Sequence, residues 1–231
     1  VEAGGVVSST EGSLGYESGS TGVATVTGSG SQWNNSDQLV VGYKGTGTLN
    51  VEAGGVVSNS WGYIGRYSGS TGEATVTGSG SQWNNSEQLY VGRSGSGTLN
   101  VEAGGVVANT TGYIGYYSGS TGIATVTGSG SQWNNSIYLI VGNSGSGTLN
   151  VTNGGVVSNT NGYIGTYSGS TGIATVTGSG SQWNNAGKLY VAHSGSGTLN
   201  VEAGGVVSNT YGYIGSSSGS TGVATVTGSG S

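Results

Sequence analysis

The chain repeats itself every fifty residues, and this internal repeat restricts the possible folds more than any other feature. The motif VEAGGVV or VTNGGVV begins at Val1, Val51, Val101, Val151 and Val201, and the segment ATVTGSGSQWNN occurs four times. Tandem units of this size are typical of solenoids, in which each unit packs on its neighbours. Residues 1–231 are therefore predicted to form one repeat array, with units 1–50, 51–100, 101–150 and 151–200 and a partial unit 201–231.

Each fifty-residue unit divides into two similar halves. When the threonines of ATVT and GTLN are aligned, Thr98 follows Thr75 by 23 residues (98 − 75) and precedes Thr125 by 27 (125 − 98). Segments with an apolar residue at every second position, such as 48–52, predict strands, and the glycine-rich segments between them predict turns. The sequence thus predicts an all-β, parallel β-solenoid (β-helix) with about 25 residues and three short strands per coil, and roughly nine coils in a rod about 40 Å long.

The apolar residues of the predicted strands recur at fixed positions. Leucine and valine of the first strand are expected to point inward, and threonine, asparagine and glutamate outward. Sixteen positions after each aligned threonine stands an aliphatic residue, which predicts an inward ladder of Leu14, Val41, Ile64, Val91, Ile114, Val141, Ile164, Val191 and Ile214. Four tryptophans are each followed by two asparagines, and we expect them to fill the interior while the amides bridge coils: Trp33, Trp83, Trp133 and Trp183.

Composition excludes several classes of function. The chain has 52 glycines, 6% charged residues and no cysteine, so a thick core, disulfides and thiolate metal sites are not expected. Its single histidine and single aspartate predict no metal site and no cofactor. A net charge of −5 with four basic residues argues against nucleic acid as a partner. No signal peptide or membrane span is visible, and because the first residue stands in mid-pattern we expect a fragment of a longer protein.

The repeat motifs resemble a known family. GTLNVEAGGVV, the block GSTGxATVTGxGSxWxNS and LxVGxSGxGTL are similar to the type V secretion/PEP-CTERM-associated repeat of autotransporter-like passenger regions, over the whole chain. The resemblance implies a right-handed solenoid that is exported, displayed or released, and often adhesive. It transfers no catalytic residue. The chain departs from the pattern at Ala186 and Gly187, and at Ala192 and His193.

One outward face is predicted to be rich in threonine. The alignment predicts an unbroken file of Thr25, Thr48, Thr75, Thr98, Thr125, Thr148, Thr175, Thr198 and Thr225. Two positions further on it predicts Thr27, Asn50, Thr77, Asn100, Thr127, Asn150, Thr177, Asn200 and Thr227. Such a flat array suggests an ice-binding surface, whereas the alternative is that threonine simply suits exposed strands. Glu52 and Glu102 extend the same outward row and argue against ice binding, because carboxylates are strongly hydrated.

A second outward face is where the repeats differ. It carries eight of the thirteen charged residues and a predicted aromatic file, interrupted by Val40 and Ile140, of Tyr63, Tyr90, Tyr113, Tyr163, Tyr190 and Tyr213. Stacked exposed tyrosines can bind glycans or a protein surface. The alternative is a ladder that only stiffens the sheet through cross-strand packing.

These features favour a structural or adhesive role over catalysis. Enzymatic β-helices need grouped carboxylates, which the scattered glutamates and one aspartate cannot supply, so no enzymatic activity is expected. The sequence predicts a rod or filament-forming stalk of a bacterial surface or secreted protein, with ice binding or a non-catalytic glycan-binding array as alternatives. Expected partners are further copies of the chain, end to end or laterally, and a glycan or a neighbouring surface, because open strand edges template further pairing.

Overall fold

The computed structural model describes every residue from Val1 to Ser231 and is all-β, with 25 strands and no helix. All strand pairs are parallel, and they form two sheets. The nine-stranded sheet contains one long strand from each of nine coils: β3 (Thr21–Thr27), β6 (Thr46–Glu52), β9 (Thr71–Thr77), β12 (Ser96–Glu102), β14 (Thr121–Thr127), β16 (Ser146–Thr152), β19 (Thr171–Thr177), β22 (Ser196–Glu202) and β25 (Thr221–Thr227). This sheet is one wall of the solenoid.

The sixteen-stranded sheet forms the other two walls, as two rows of short strands. The first row is β1 (Val6–Ser9), β4 (Gln32–Asn35), β7 (Val56–Asn59), β10 (Gln82–Asn85), β17 (Val156–Asn159), β20 (Gln182–Asn185) and β23 (Val206–Ser208). The second row is β2 (Gly12–Leu14), β5 (Gln38–Val41), β8 (Trp61–Ile64), β11 (Gln88–Val91), β18 (Asn161–Ile164), β21 (Lys188–Val191) and β24 (Tyr211–Ile214). Two strands, β13 (Val106–Ile114) and β15 (Gln132–Val141), run through both rows and join them. The predicted parallel solenoid with three strand segments per coil is confirmed.

The interior is a narrow file of apolar side chains. Along β12 the burial alternates with every residue, so that Leu99 and Val101 are buried while Thr98 and Asn100 are not. Inward positions of neighbouring long strands alternate Leu with Ala, as in Leu99 between Ala74 and Ala124, which keeps the core volume even from coil to coil. The ladder predicted from Leu14 onward is confirmed and buried up to Val191, whereas Ile214 in the last coil is 60% exposed.

The tryptophans and asparagines of the first row form a second buried file. The rings of Trp83, Trp133 and Trp183 are fully buried, as predicted, whereas Trp33 in the first part of the chain is only partly buried. The Nε1 atom of Trp133 donates a 2.7 Å hydrogen bond to Oδ1 of Asn109 in the preceding coil, and Nδ2 of Asn109 donates at 2.6 Å to Oδ1 of Asn135 in the next coil. Only the second asparagine after each tryptophan is buried. The predicted amide bridge therefore exists, through that second residue and an asparagine of the coil before it.

A glycine ends the second-row strand where the chain turns into the next wall. Gly65 has φ +71°, and a Cβ there would lie 2.2 Å from the carbonyl oxygen of Ser96. Both the left-handed backbone and the close approach of the neighbouring coil require glycine. Ala192 occupies the corresponding position of its coil with φ +64°, so the departure noticed in the sequence places a side chain in a strained conformation.

The register of the nine-stranded sheet corrects the predicted threonine file. Thr25 pairs with Asn50 and not with Thr48, and Thr48 pairs with Val23. The cause is the glycine at the second position of each long strand, after Thr or Ser. Gly22 pairs with Gly47, and a Cβ at Gly47 would lie 2.1 Å from the backbone nitrogen of Gly42, so this corner of the coil requires glycine and fixes the register. The unbroken file was wrong because aligning the threonines shifted alternate coils by two residues.

Candidate functional site

The candidate site is the outer side of the second-row strands together with the turns that follow them, a surface that we call the tyrosine face. On β8 and β11 the side chains alternate, so that Ile64 and Val91 point into the core and Tyr63 and Tyr90 point outward. The parallel register pairs Tyr63 with Tyr90 and Tyr90 with Tyr113. Equivalent side chains therefore stand directly above one another along the axis.

The tyrosines predicted from the sequence stack in two groups of three. In the first group the ring centroids of Tyr63 and Tyr90 are 5.1 Å apart and those of Tyr90 and Tyr113 are 4.9 Å apart, with interplanar angles of 7° and 8°. In the second group Tyr163, Tyr190 and Tyr213 stack at 4.8 and 4.7 Å, each at 11°. The structure therefore brings all six residues together as two ladders.

A second row of aromatic residues, not predicted as part of the site, lies beside these ladders. These residues follow the turn glycine: Tyr16, Tyr43, Tyr67, Tyr116, Tyr117 and Tyr167. Tyr116 packs edge-on against both Tyr90 and Tyr113, at 5.0 and 4.8 Å. Tyr16 stacks on Tyr43 at 4.7 Å. The sequence did contain a signal for this row, because all 14 tyrosines of the chain fall in the third strand segment of a coil or in the turn after it.

Basic side chains lie across the rings. The guanidinium carbon of Arg66 is 4.6 Å from the ring centroid of Tyr63, and that of Arg93 is 5.1 Å from the centroid of Tyr117. The chain forms a single ion pair, Lys44 with Glu17 at 3.8 Å, and both partners are exposed. Rings and not carboxylates are thus the partners of the two arginines.

Burial changes the acidity of the ladder. The pKa of Tyr90 is raised well above its ordinary value, mainly because its ring is partly withdrawn from water and also because Tyr113 and Tyr116 lie close by. Burial also raises the pKa of Tyr63, Tyr113 and Tyr163. These phenols stay neutral through the physiological range, so the ladder presents uncharged aromatic rings.

The two interruptions of the ladder differ from each other. Val40 is completely buried, and the guanidinium of Arg66 lies over the ring of Tyr63, which is paired with Val40. At Ile140, in contrast, the tyrosine face opens into a cleft of about 380 Å³. Its walls are Tyr113, Tyr116, Tyr138, Ile140, Asn143, Tyr163, Thr166, Tyr167 and His193. In this cleft several aromatic rings surround open space.

The outer side of the nine-stranded sheet, the threonine face, is more mixed than predicted. Its middle row alternates threonine and asparagine, from Thr25 and Asn50 through Thr75 and Asn100. The row beside it contains Glu73 between Thr48 and Thr98. Thr27, Thr77, Thr127 and Thr177 stand in a third row with Glu52, Glu102 and Glu202. Whether this face binds ice is a prediction that the geometry does not test.

Two further features bear on the site. No group of three or more His, Cys, Asp or Glu side chains is arranged to hold a metal ion. No helix in the structure has the length and apolar character needed to cross a membrane.

Comparison with known proteins identifies no family for this chain. No protein-family profile matches the chain, and no curated protein matches it. Among solved structures, the chain is similar to the crystal structure of a TibC-catalysed, hyper-glycosylated fragment of TibA, with 22% identity over 99% of this chain and 84% of that one and a TM-score of 0.30. That loose overlap transfers no function. The family suggested by the repeat motifs stays a prediction.

Proposed function

We propose that the chain is a rod-shaped, non-catalytic segment of a bacterial surface or secreted protein, and that it contacts a glycan or a neighbouring protein through the tyrosine face. One observation carries the proposal: all 14 tyrosines and all four basic residues stand on one of the three walls of the solenoid. The interior needs neither residue type. A duplicated scaffold that keeps its core constant and varies one outer wall is suited to recognition on that wall.

The chemistry of this wall supports a contact surface. Several of its rings are strongly exposed, including Tyr16 at 55%, Tyr167 at 58% and Tyr211 at 58%. Tyrosine offers a flat apolar ring with a polar tip, which suits both sugar rings and protein surfaces, and contiguous exposed aromatic area is uncommon on a monomer without a partner. Stiffening of the sheet by stacking explains the inner ladder but not the exposed outer row.

The charges support a role without catalysis. General acid–base chemistry needs two titratable groups that face one substrate. The carboxylates of the tyrosine face are Glu11, Glu17, Asp37 and Glu87, which are spread over three coils, and Glu17 is paired with Lys44. A reducing-sugar assay on acidic polysaccharides should therefore remain blank.

The location outside the cell and the adhesive role rest on the resemblance of the repeats and on the form of the solenoid. The nine coils stack along the axis of the solenoid, and at the usual strand spacing the stack is about 40 Å long. Such a segment can hold other domains away from a surface while exposing one binding wall. Self-association, end to end or laterally, belongs to the same proposal.

Attachment of beads tests the adhesive role. Beads coated with the chain should attach to immobilised neutral polysaccharide or to bacterial cells, and attachment should fall at least fivefold when Tyr117, Tyr167 and Tyr211 are changed to serine. The matched control changes three exposed residues of the threonine face, Val23, Ile123 and Ile173, to serine and should attach as the native chain does. Equal attachment by both variants, or no attachment to any surface, would contradict the proposal.

Sedimentation velocity tests self-association separately. The proposal expects association that grows with protein concentration and changes little with salt, because backbone and apolar contacts would drive it. A clean monomer at high concentration, with no filaments in electron micrographs, would remove self-association and leave the adhesive role untouched.

A further inference from the structure

The two gaps in the tyrosine ladder occupy the same position in different repeats. Val40 and Ile140 are 100 residues apart, and each stands where Tyr90 and Tyr190 stand in the other repeats. An aliphatic residue at this position leaves a space beside the next ring of the ladder. The chain fills the first of these spaces and leaves the second open.

A guanidinium group fills the first gap. The Cζ atom of Arg66 lies 4.6, 5.4 and 5.5 Å from the ring centroids of Tyr63, Tyr43 and Tyr67. One of its terminal nitrogens donates a hydrogen bond to Oε1 of Gln38. No carboxylate pairs with it, and its Nε has no acceptor. Aromatic rings and one neutral acceptor are therefore enough to hold a planar cation on this face.

The second gap has a related frame without the arginine, in which Asn143 stands where Tyr43 stands and Tyr113 stands where Ser13 stands. Thr166 stands where Arg66 stands, beside Tyr163 in place of Tyr63, and Tyr167 replaces Tyr67. Tyr113 closes the far side, two coils from Tyr163. Two coils span about 9.6 Å, so one planar group between these rings would lie about 4.8 Å from each, the usual stacking distance. The 380 Å³ cleft is the space that this missing group leaves.

Two polar side chains of the cleft have an oxygen that is free to accept a hydrogen bond. Thr166 is only 9% exposed, and its Oγ1 is buried with no hydrogen-bond partner. The Nδ2 of Asn143 is already used, because it donates to the carbonyl oxygen of Tyr116 and to Oγ of Ser144, and its Oδ1 is left to accept. A guanidinium group brings five N–H donors and no acceptor. The net charge of −5 also favours a cation over an anion.

We propose that the cleft at Ile140 binds the side chain of an arginine presented by a partner polypeptide, with its guanidinium stacked between Tyr113 and Tyr163 and hydrogen-bonded to Thr166 and Asn143. The cleft then recognises in a partner the group that Arg66 supplies within the chain. This inference concerns binding by the isolated chain and holds whether or not the whole segment is adhesive.

NMR titration of the full chain with Nα-acetyl-arginine methylamide tests the proposal. The ring resonances of Tyr113 and Tyr163 should shift and saturate with a Kd on the order of 1–10 mM, as expected for a few cation–π contacts. The capped lysine analogue should bind at least about fivefold more weakly, because an ammonium cannot stack as a planar group. Methyl glucoside should leave these resonances unchanged.

Two variants make the test specific, and circular dichroism confirms that each keeps the β fold. Thr166→Arg should fill the cleft from within and weaken binding of the probe at least about tenfold. Arg66→Thr should open the first gap and add a second site, seen as new shifts of the Tyr63 ring. Binding of the probe that survives Thr166→Arg, stronger binding of methyl glucoside than of the arginine probe, or no shift in the native chain would each overturn the proposal.

Discussion

Asn109 connects two neighbouring coils through two buried hydrogen bonds, so its loss should destabilise the solenoid strongly. Its Oδ1 accepts from Trp133 and its Nδ2 donates to Asn135, and Trp133 has no accessible surface. Asn109→Leu keeps a side chain of similar size but removes both hydrogen-bonding atoms. A leucine in this place leaves no room for a water molecule that could take over the two bonds.

The magnitude follows from the two groups that would lose their partners. A buried donor or acceptor left unsatisfied costs about 1–3 kcal/mol, so the orphaned Nε1 of Trp133 and Oδ1 of Asn135 together predict a loss of about 2–6 kcal/mol in the free energy of unfolding. The first coil supplies a natural comparison. Ser9 stands there in place of the asparagine, and Nε1 of Trp33 is buried without a partner. Ser9→Asn should therefore stabilise the chain, by about 1 kcal/mol.

Urea denaturation followed by tryptophan fluorescence measures both effects. The matched control is Asn84→Leu, because Asn84 makes its side-chain hydrogen bond at the surface, to Gln82 of its own strand. This control should change the free energy of unfolding by no more than about 0.5 kcal/mol. If Asn109→Leu were as mild as the control, or Ser9→Asn had no effect, the tryptophan–asparagine file would not stabilise the fold as argued.

Four other outcomes are expected. Ile114→Asp should lower the free energy of unfolding by several kcal/mol, because Ile114 is fully buried. Ile123→Asp should lower it only slightly, because Ile123 is 39% exposed. Ala192→Gly should raise the stability by about 1 kcal/mol by relieving the left-handed alanine, while Ala108→Gly, on a strand, should lower it. The raised pKa of Tyr90 means that the unfolded chain loses this proton first, so stability should fall as the pH rises above about 10, and Tyr90→Phe should reduce that fall in urea midpoints measured from pH 8 to 11. Finally, the native chain should show no thermal hysteresis, because the threonine face carries glutamates and lacks an unbroken threonine file; measurable hysteresis would restore the ice-binding alternative.

The fold was predictable because the residues that form the interior of a solenoid recur at a fixed spacing in the sequence. The ladder through Ile64, Val91 and Ile114 recurs at fixed places, and only a parallel stack of coils buries all of its members at once. The tryptophan–asparagine block was predictable for the same reason. The stacked tyrosines followed directly, since equivalent positions of successive coils must lie above one another.

Two features were beyond the sequence argument. The register of the nine-stranded sheet depends on the close approach of the backbone at Gly22 and Gly47, which motif alignment does not reveal. The cleft depends on a combination of residues that are distant in sequence, Ile140 and Thr166 together with the rings of Tyr113 and Tyr163. Ile140 and Thr166, each taken singly, resemble the ordinary variation between repeats on an outer face. Only the stacking of coils shows that together they leave a space.

The central claim is that the chain meets its partner through the tyrosine face, and hydroxyl-radical footprinting read by mass spectrometry tests it most directly. Oxidation would be compared between the free chain and the chain attached to polysaccharide or to cells. Protection is expected at exposed residues of the tyrosine face such as Tyr117, Tyr167 and Tyr211, with no change at Ile123 and Ile173 on the threonine face. Protection spread evenly over both faces, or confined to the threonine face, would contradict the account.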